Sequence, residues 1–496
     1  MSKIFKPKAD ASSGRLLSGA ALTALILVAV VLVNAVAYAI QQTYSWYLYK
    51  PEREKVEISD TARTLISSAM ESGKRVEIIF CMTRDEVKNH DTGALVLETA
   101  DLLANAYPDF FSLDFYNIVT KRNQHGERVD MSRYSVDFEG VARAISKHSV
   151  IFSTPESFRI LGADSYADFY TIDASGTPIA YNGEEVMISS ALRTLQNEQK
   201  TAYFTMYHGE IADPAFYSLL SCAGFAVDVI DLRRNEIPDD AGLLVISAPQ
   251  TDFERGAGIR TEIERLTEYV EGGGGLYVSL DPYLKTPLPV LENFLAGYGI
   301  RATRTEIAGY SAATVVKDSA GAITQDGFTL VTSIAESAVL GKVSEYRDRG
   351  VLLSHVSALT LDESLGAKPL LVAGESAVTQ AGGETVDRAG GYAVAAYTDC
   401  GENGGKIVVV PSIYLTASDA LVTNAYSNRN FIYALLEELY GIDHQMPYGC
   451  HIQLFDNEML ENLRMSTARL YTAALMLIPV AIACVGAVLL IRRKNR

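Results

Sequence analysis

The sequence predicts an α/β protein held to a membrane by two spans, and three observations carry that reading. Uncharged apolar runs occupy 16–40 and 470–491. The stretch between them alternates apolar strands with amphipathic helices, and its third quarter breaks into short strands and turns. At 1.5 Å rise per residue, each terminal run is long enough to cross a hydrocarbon core of about 30 Å. Lys3, Lys6, Lys8 and Arg15 precede the first run, and Arg492, Arg493, Lys494 and Arg496 follow the second. Basic flanks stay in the cytoplasm, so both termini (1–15 and 492–496) are expected inside and the large middle part outside the cell. A cleavable signal peptide ending near Ala37-Tyr38-Ala39 is the competing reading of the N-terminus. The run is longer than a signal core, which favours a retained anchor.

Composition fits a folded outer part. The chain is 48% hydrophobic and 21% charged, near the globular average. Its formal net charge is −17; with +3 on residues 1–40 and +4 on 492–496, the rest carries −24. An acidic surface argues against nucleic acid and anionic lipid as partners. Cys81, Cys222, Cys400 and Cys450 lie outside the apolar runs without C-x-x-C or paired spacing, so neither a dithiol nor a zinc site is indicated; buried core thiols are expected, with one or two disulfides as the alternative. Tyr44, Trp46, Tyr47 and Tyr49, just after the first span, suit an interfacial aromatic belt.

Along the chain, 59–72 has apolar residues at helical spacing, Ser59 or Asp60 as N-cap and Gly73 as stop. A strand at 75–82, a helix at 95–107 and strands at 111–119, 150–153 and 169–173 follow, making 50–197 a first α/β domain that closes with a helix at 184–197. The second domain begins at 198. It reads as strands at 202–207, 226–231, 241–247 and 275–280 with helices at 214–223 and 260–271, a pattern that predicts a parallel sheet covered on both faces. Four glycines, Gly272 to Gly275, sit where a helix end turns into a strand and suggest positive φ. Strands at 312–316, 327–330, 350–353, 369–372 and 392–398 predict a β-rich insertion over 301–398. A strand at 406–410 and a helix at 428–440 return to the α/β domain over 399–445, and 446–469 is a juxtamembrane segment, helical from 457.

Open α/β sheets place ligands at the carboxyl ends of their strands. There His208 and Glu210 follow one strand, Gln250 and Asp252 another, and Asp281 a third. These five are the candidate ligand- or partner-binding residues. The plainer reading has Glu210 and Asp281 capping turns and His208 bonding to backbone. No catalytic residue, metal or cofactor is expected. A phosphate loop G-x-x-x-x-G-K-[ST] is absent, and 401–407 lacks the Ser or Thr after Lys406. No G-x-C-x-G or G-x-S-x-G nucleophile elbow follows any strand, and Ser247-Ala248-Pro249-Gln250, a natural place for one, has no Cys.

Several of these segments carry a family resemblance: Asn182-Gly183-Glu184-Glu185, His208-Gly209-Glu210, Leu243 to Pro249, Leu276 to Pro282 and Asn428-Arg429-Asn430-Phe431-Ile432. Together they resemble the GldG-like proteins, auxiliary subunits of ABC-type transport systems, over roughly residues 55 to 490. The resemblance implies a thioredoxin-like domain without its dithiol, followed by a glutaminase-like domain. It also implies a noncatalytic role beside a separate ATP-binding subunit and a multi-span permease. Tyr207 departs from the pattern, which has Gly before the His. The alternative function is a membrane-tethered hydrolase or ligand-binding receptor acting on cell-envelope material.

Overall fold

The computed structural model describes residues 56–455, apart from 136–144, 163–164, 174–175, 197–199, 254–259, 308–309, 336–348, 424 and 442–444. The two apolar runs, both basic tails, the aromatic belt and the 457–469 helix lie outside the described residues. Among those described, no helix is long and apolar enough to cross a membrane.

The first lobe runs α1 (Asp60–Met70), β1 (Val76–Phe80), α2 (Arg84–Lys88), α3 (Gly93–Ala106), β2 (Phe111–Asn117), β3 (Arg122–Asn123), β4 (Val150–Ser153), β5 (Phe158–Leu161), β6 (Tyr170–Ile172), β7 (Pro178–Tyr181) and α4 (Gly183–Thr194). Ser59 caps α1 as its spacing predicts, its Oγ accepting the Ala62 N–H at 3.1 Å. The sheet order is β3-β2-β1-β4-β5: β1 and β2 are parallel through the α3 crossover, whereas β4 and β5 run antiparallel. A mixed sheet thus replaces simple βαβ alternation. Gly183 opens α4 where a Cβ would collide with the Tyr181 hydroxyl, which itself donates to the Leu95 carbonyl at 2.9 Å.

The second lobe continues β8 (Thr201–Thr205), α5 (Pro214–Cys222), β9 (Ala226–Ile230), β10 (Ala241–Ser247), α6 (Glu262–Glu271), β11 (Gly275–Ser279) and α7 (Pro289–Gly297). Then come β12 (Ile300–Ala302), β13 (Arg304–Ile307), β14 (Tyr310–Ala313), β15 (Val315–Lys317), β16 (Thr329–Ile334), β17 (Val351–Ser354), β18 (Leu359–Leu361), β19 (Lys368–Val372), β20 (Val378–Ala381), β21 (Glu384–Asp387), β22 (Ala393–Cys400) and β23 (Gly405–Val410). The described chain closes with α8 (Ser418–Val422), α9 (Asn428–Ala434) and β24 (Gln453–Leu454). Strands β9, β8, β10, β11 and β23 lie side by side and parallel. Alternate residues supply two cores: Leu243, Val245, Tyr277 and Val408 on one face, Leu244, Ile246, Leu276 and Ile407 on the other. Burial on both faces accounts for the nearly continuous apolar runs in sequence.

Strands β22, β19, β16 and β17 extend that same sheet antiparallel from β23. The β-rich stretch is therefore in good part a widening of the sheet. Helix α9 ends in one π turn, Leu435–Leu439. In the four-glycine turn only Gly273 has positive φ, at +105°; Gly274 and Gly275 are required instead by the rings of Tyr269 and Tyr440, which a Cβ would strike.

Candidate functional site

The turn after β8 holds His208 between two bends of positive φ, Tyr207 at +80° and Gly209 at +70°. Its carbonyl accepts the N–H groups of Gln250 (2.7 Å) and Thr251 (2.9 Å), which ties the β8 turn to the one after β10. The ring is buried, stacked on Phe253 at 4.2 Å between centroids and 6° from parallel. Nδ1 lies 3.1 Å from Glu210 Oε1, and Nε2 lies 3.2 Å from Glu262 Oε1. The other Glu210 oxygen accepts the His208 backbone N–H at 2.8 Å.

Burial alone would push His208 down. The hydrogen bonds and charges of Glu210 and Glu262 outweigh it and raise the pKa from 6.5 to about 9. Glu210 is correspondingly held below the usual carboxylate range: desolvation opposes the shift, and the bond to His208 leads the groups that overcome it. His208 is therefore an imidazolium at neutral pH, with both ring nitrogens donating. No group of His, Cys, Asp or Glu among the described residues is arranged to hold a metal ion.

The other candidates divide. Gln250 donates through Nε2 to the Ala248 carbonyl (3.0 Å) and approaches Asp281 Oδ2 at 3.5 Å. Asp281 otherwise accepts the Tyr283 N–H at 2.9 Å, capping its own turn. Asp252 accepts the N–H groups of Val290 (2.8 Å) and Leu291 (3.2 Å), so it caps α7 from a distant loop. The structure thus joins His208 with Glu210 and Gln250 with Asp281, and commits Asp252 to a helix end.

Glu262 is the partner that sequence reading missed, although a signal existed. It is buried at i, i+4, i+8 spacing with Leu266 and Val270 on α6, so a carboxylate occupies the apolar stripe and calls for a cation. Exposed apolar side chains flank the same sheet edge: Tyr207, Tyr283 and Ile413 follow β8, β11 and β23. Ala248, directly after β10, is buried with φ of +46° and presents only a methyl group.

A second cluster joins the lobes. Glu185 on α4 is ion-paired with Arg429 on α9 and accepts the Tyr433 hydroxyl at 2.5 Å. Arg429 Nε also donates to the Leu421 carbonyl at 3.1 Å. The adjacent Glu184 accepts the N–H groups of Ser59 and His451, each at 2.6 Å. Asn428 bonds both the N–H and the carbonyl of Leu352 at 2.8 Å, sealing the edge of β17.

No protein-family profile matches the chain, and no curated protein matches its sequence. Among solved structures, it is similar to the mmIFT52 N-terminal domain, with 16% identity and a TM-score of 0.38 over 49% of this chain and 99% of that one. Further likenesses are to PurLQS from Thermotoga maritima (12% identity, TM-score 0.28, 48% and 98% covered) and to the cytoplasmic protein STM3548 from Salmonella typhimurium (11% identity, TM-score 0.31, 48% and 98% covered). At these identities and scores the likenesses identify neither a family nor an activity; the architecture itself is mixed α/β with a parallel sheet.

Proposed function

We propose that this chain is a noncatalytic, membrane-anchored accessory subunit of an ABC-type transport system, its large part outside the cell, working with a separate ATP-binding subunit and a multi-span permease. The observation that carries the reading is the Glu185–Arg429 junction. It draws together the two segments of the GldG-like resemblance that lie farthest apart in sequence and ties both lobes into one body between two apolar runs. The order β2-β1-β4-β5, parallel and then twice antiparallel, supports a thioredoxin-like first lobe. The five parallel strands support a glutaminase-like second lobe. His208, engaged at both ring nitrogens by Glu210 and Glu262, and Ala248, a methyl group at the turn after the central strand, fit a scaffold better than a hydrolase.

Two spans at opposite ends offer two lateral faces to a permease, and Gly19, Ala20, Ala24, Ala473, Ala474 and Gly486 permit close helix approach. The test is purification of the tagged full chain from its native membrane in mild detergent. The expected result is recovery of an ATP-binding subunit and a permease, lost when 16–40 and 470–491 are replaced by unrelated apolar helices of equal length. Recovery of the chain without either subunit would overturn the proposal.

A further inference from the structure

Strand β14 leads directly into β15, and the edge that the two share away from β13 is only half covered. Peptide groups along a strand point to alternate edges. Thr314 and Val316 donate to the Thr303 and Val356 carbonyls at 2.9 and 2.8 Å, so even-numbered residues face β13 and the segment after β17. Odd-numbered residues face the other way, where Val315 and Lys317 stand opposite Gln380 and Val378 of β20. There β20 stops short. Gly382 and Gly383, at φ of +58° and +86°, turn it back into β21 as a two-residue hairpin, with Ala381 opposite Glu384. Beyond that turn the edge of β14 is open. Among the described residues, the N–H groups of Ser311 and Ala313 and the Ala313 carbonyl have no partner, and the Ser311 carbonyl meets only the Arg304 guanidinium, at 3.4 Å.

A cavity of about 290 Å³ lies against this open edge, between it and the segment that follows β11. Tyr283, Leu284, Val315, Phe328 and Ala381 make its lining largely apolar, and its volume is close to the roughly 300 Å³ at which ligand sites begin. The opposite wall has no backbone donor to spare: the N–H groups of Tyr283 and Leu284 are bonded to Asp281, at 2.9 and 3.2 Å, and Pro282 has none. Lys285 lines the cavity and is exposed, with no ion-pair partner among the described residues, in a chain of formal charge −17. Backbone groups two residues apart beside an apolar socket are what an added strand requires, and the ammonium group beside them suits a carboxylate.

We propose that this edge and cavity bind the carboxyl end of an extended peptide. Its backbone pairs with Ser311 and Ala313 in line with β20, an apolar side chain fills the cavity, and the terminal carboxylate meets Lys285. The site shares no residue with the His208 turn and does not depend on the transport-accessory reading.

The test uses the full chain in detergent and a fluorescein-labelled hexapeptide ending in valyl-phenylalanine, followed by fluorescence anisotropy. The expected result is saturable binding. Methylating the amide nitrogens of the last four residues one at a time should weaken it about tenfold at every second position, the mark of a strand that donates to one side. Lys285→Gln should weaken the free acid about two- to fivefold and leave the carboxyl amide of the same peptide unchanged. Ala313→Pro removes an open N–H and no ladder bond, so it should weaken both peptides about tenfold; the methylated peptides serve should that variant fail to fold. No saturable binding, methylation losses without alternation, or an equal loss of acid and amide in Lys285→Gln would overturn the proposal.

Discussion

Glu185 and Arg429, 244 residues apart in sequence, form a buried ion pair between the last helix of the first lobe and α9 of the second. Their side chains are 2% and 13% exposed, so neither charge is well served by water. The Tyr433 hydroxyl and the Leu421 carbonyl occupy further hydrogen-bonding positions, which makes the pair a small network.

Breaking that network from one side should be far worse than removing it. Arg429→Leu strands the Glu185 carboxylate and should cost about 3–5 kcal/mol. The double variant Glu185→Leu with Arg429→Leu should recover a substantial part of that loss, since no buried charge is left unpaired. Urea midpoints of the four proteins in a double-mutant cycle check this. Additive losses would show that the two residues are not coupled.

His208 sets a pH dependence of definite sign. Its folded pKa, about 9, lies above the ordinary 6.5, so the stability it contributes is fully present below pH 6.5 and is lost as pH rises through 9. His208→Gln keeps one hydrogen-bonding group without the charge. The stability gap between wild type and His208→Gln should therefore narrow steadily from pH 6.5 to above pH 9, measured as urea midpoints at each pH. A gap that widens over that interval would contradict the imidazolium between Glu210 and Glu262.

Much of this architecture was legible in the sequence, and what escaped has physical causes. The strand read at 241–247 is β10 itself, because a doubly buried parallel strand leaves an unbroken apolar run. The sequence reading assigned no element to the stretch of helix α7, which is crowded by Pro282, Pro287 and Pro289, yet Pro289 sits in the first turn, where its missing N–H costs nothing. Its cap is Asp252, reaching from another loop, which local spacing does not reveal. The His208–Glu210 turn was visible because the two residues stand only two positions apart in sequence. Glu262 was legible only as a carboxylate on the apolar stripe of α6, without its partner, and the Glu185–Arg429 pair was not legible at all, since long-range charge pairing leaves no periodic mark.

Tyr207 is the position where the sequence departs from the Gly of the resembling family, and its backbone shows what that exchange costs. At φ of +80° an L side chain is strained by roughly 1–2 kcal/mol. The ring is 58% exposed and recovers part of this beneath the Arg233 guanidinium, 4.4 Å from its centroid, worth about 0.5–1 kcal/mol. Tyr207→Gly relieves the strain, loses that contact and costs roughly 0.5–1 kcal/mol in unfolded-chain entropy, so it should stay within about 1 kcal/mol of wild type. Tyr207→Val adds branching at Cβ in the same conformation and loses the contact, so it should be less stable than both. Thermal melting of the three proteins ranks them; a Val variant as stable as the Gly variant would remove backbone strain from the account.

The proposed topology can be read with a single introduced thiol, because the native ones are poor reporters. Cys81, Cys222, Cys400 and Cys450 are buried and unpaired with one another. Burial pushes the thiols of Cys81 and Cys400 up to about 12 and that of Cys222 up to about 11, so thiolate, the reactive form, is scarce at neutral pH. Cys484 lies within the second apolar run. Asn235, by contrast, is exposed in the turn after β9. Asn235→Cys should react with a membrane-impermeant maleimide on intact cells at a rate close to that seen after lysis, while the wild type stays nearly unlabelled in both. A thiol placed at Ser2, ahead of the basic residues Lys3 to Arg15, should show the opposite, reacting only after lysis. If Asn235→Cys is protected until the cells are broken, the large part of the chain is inside, and the basic flanks of the two apolar runs do not set its orientation.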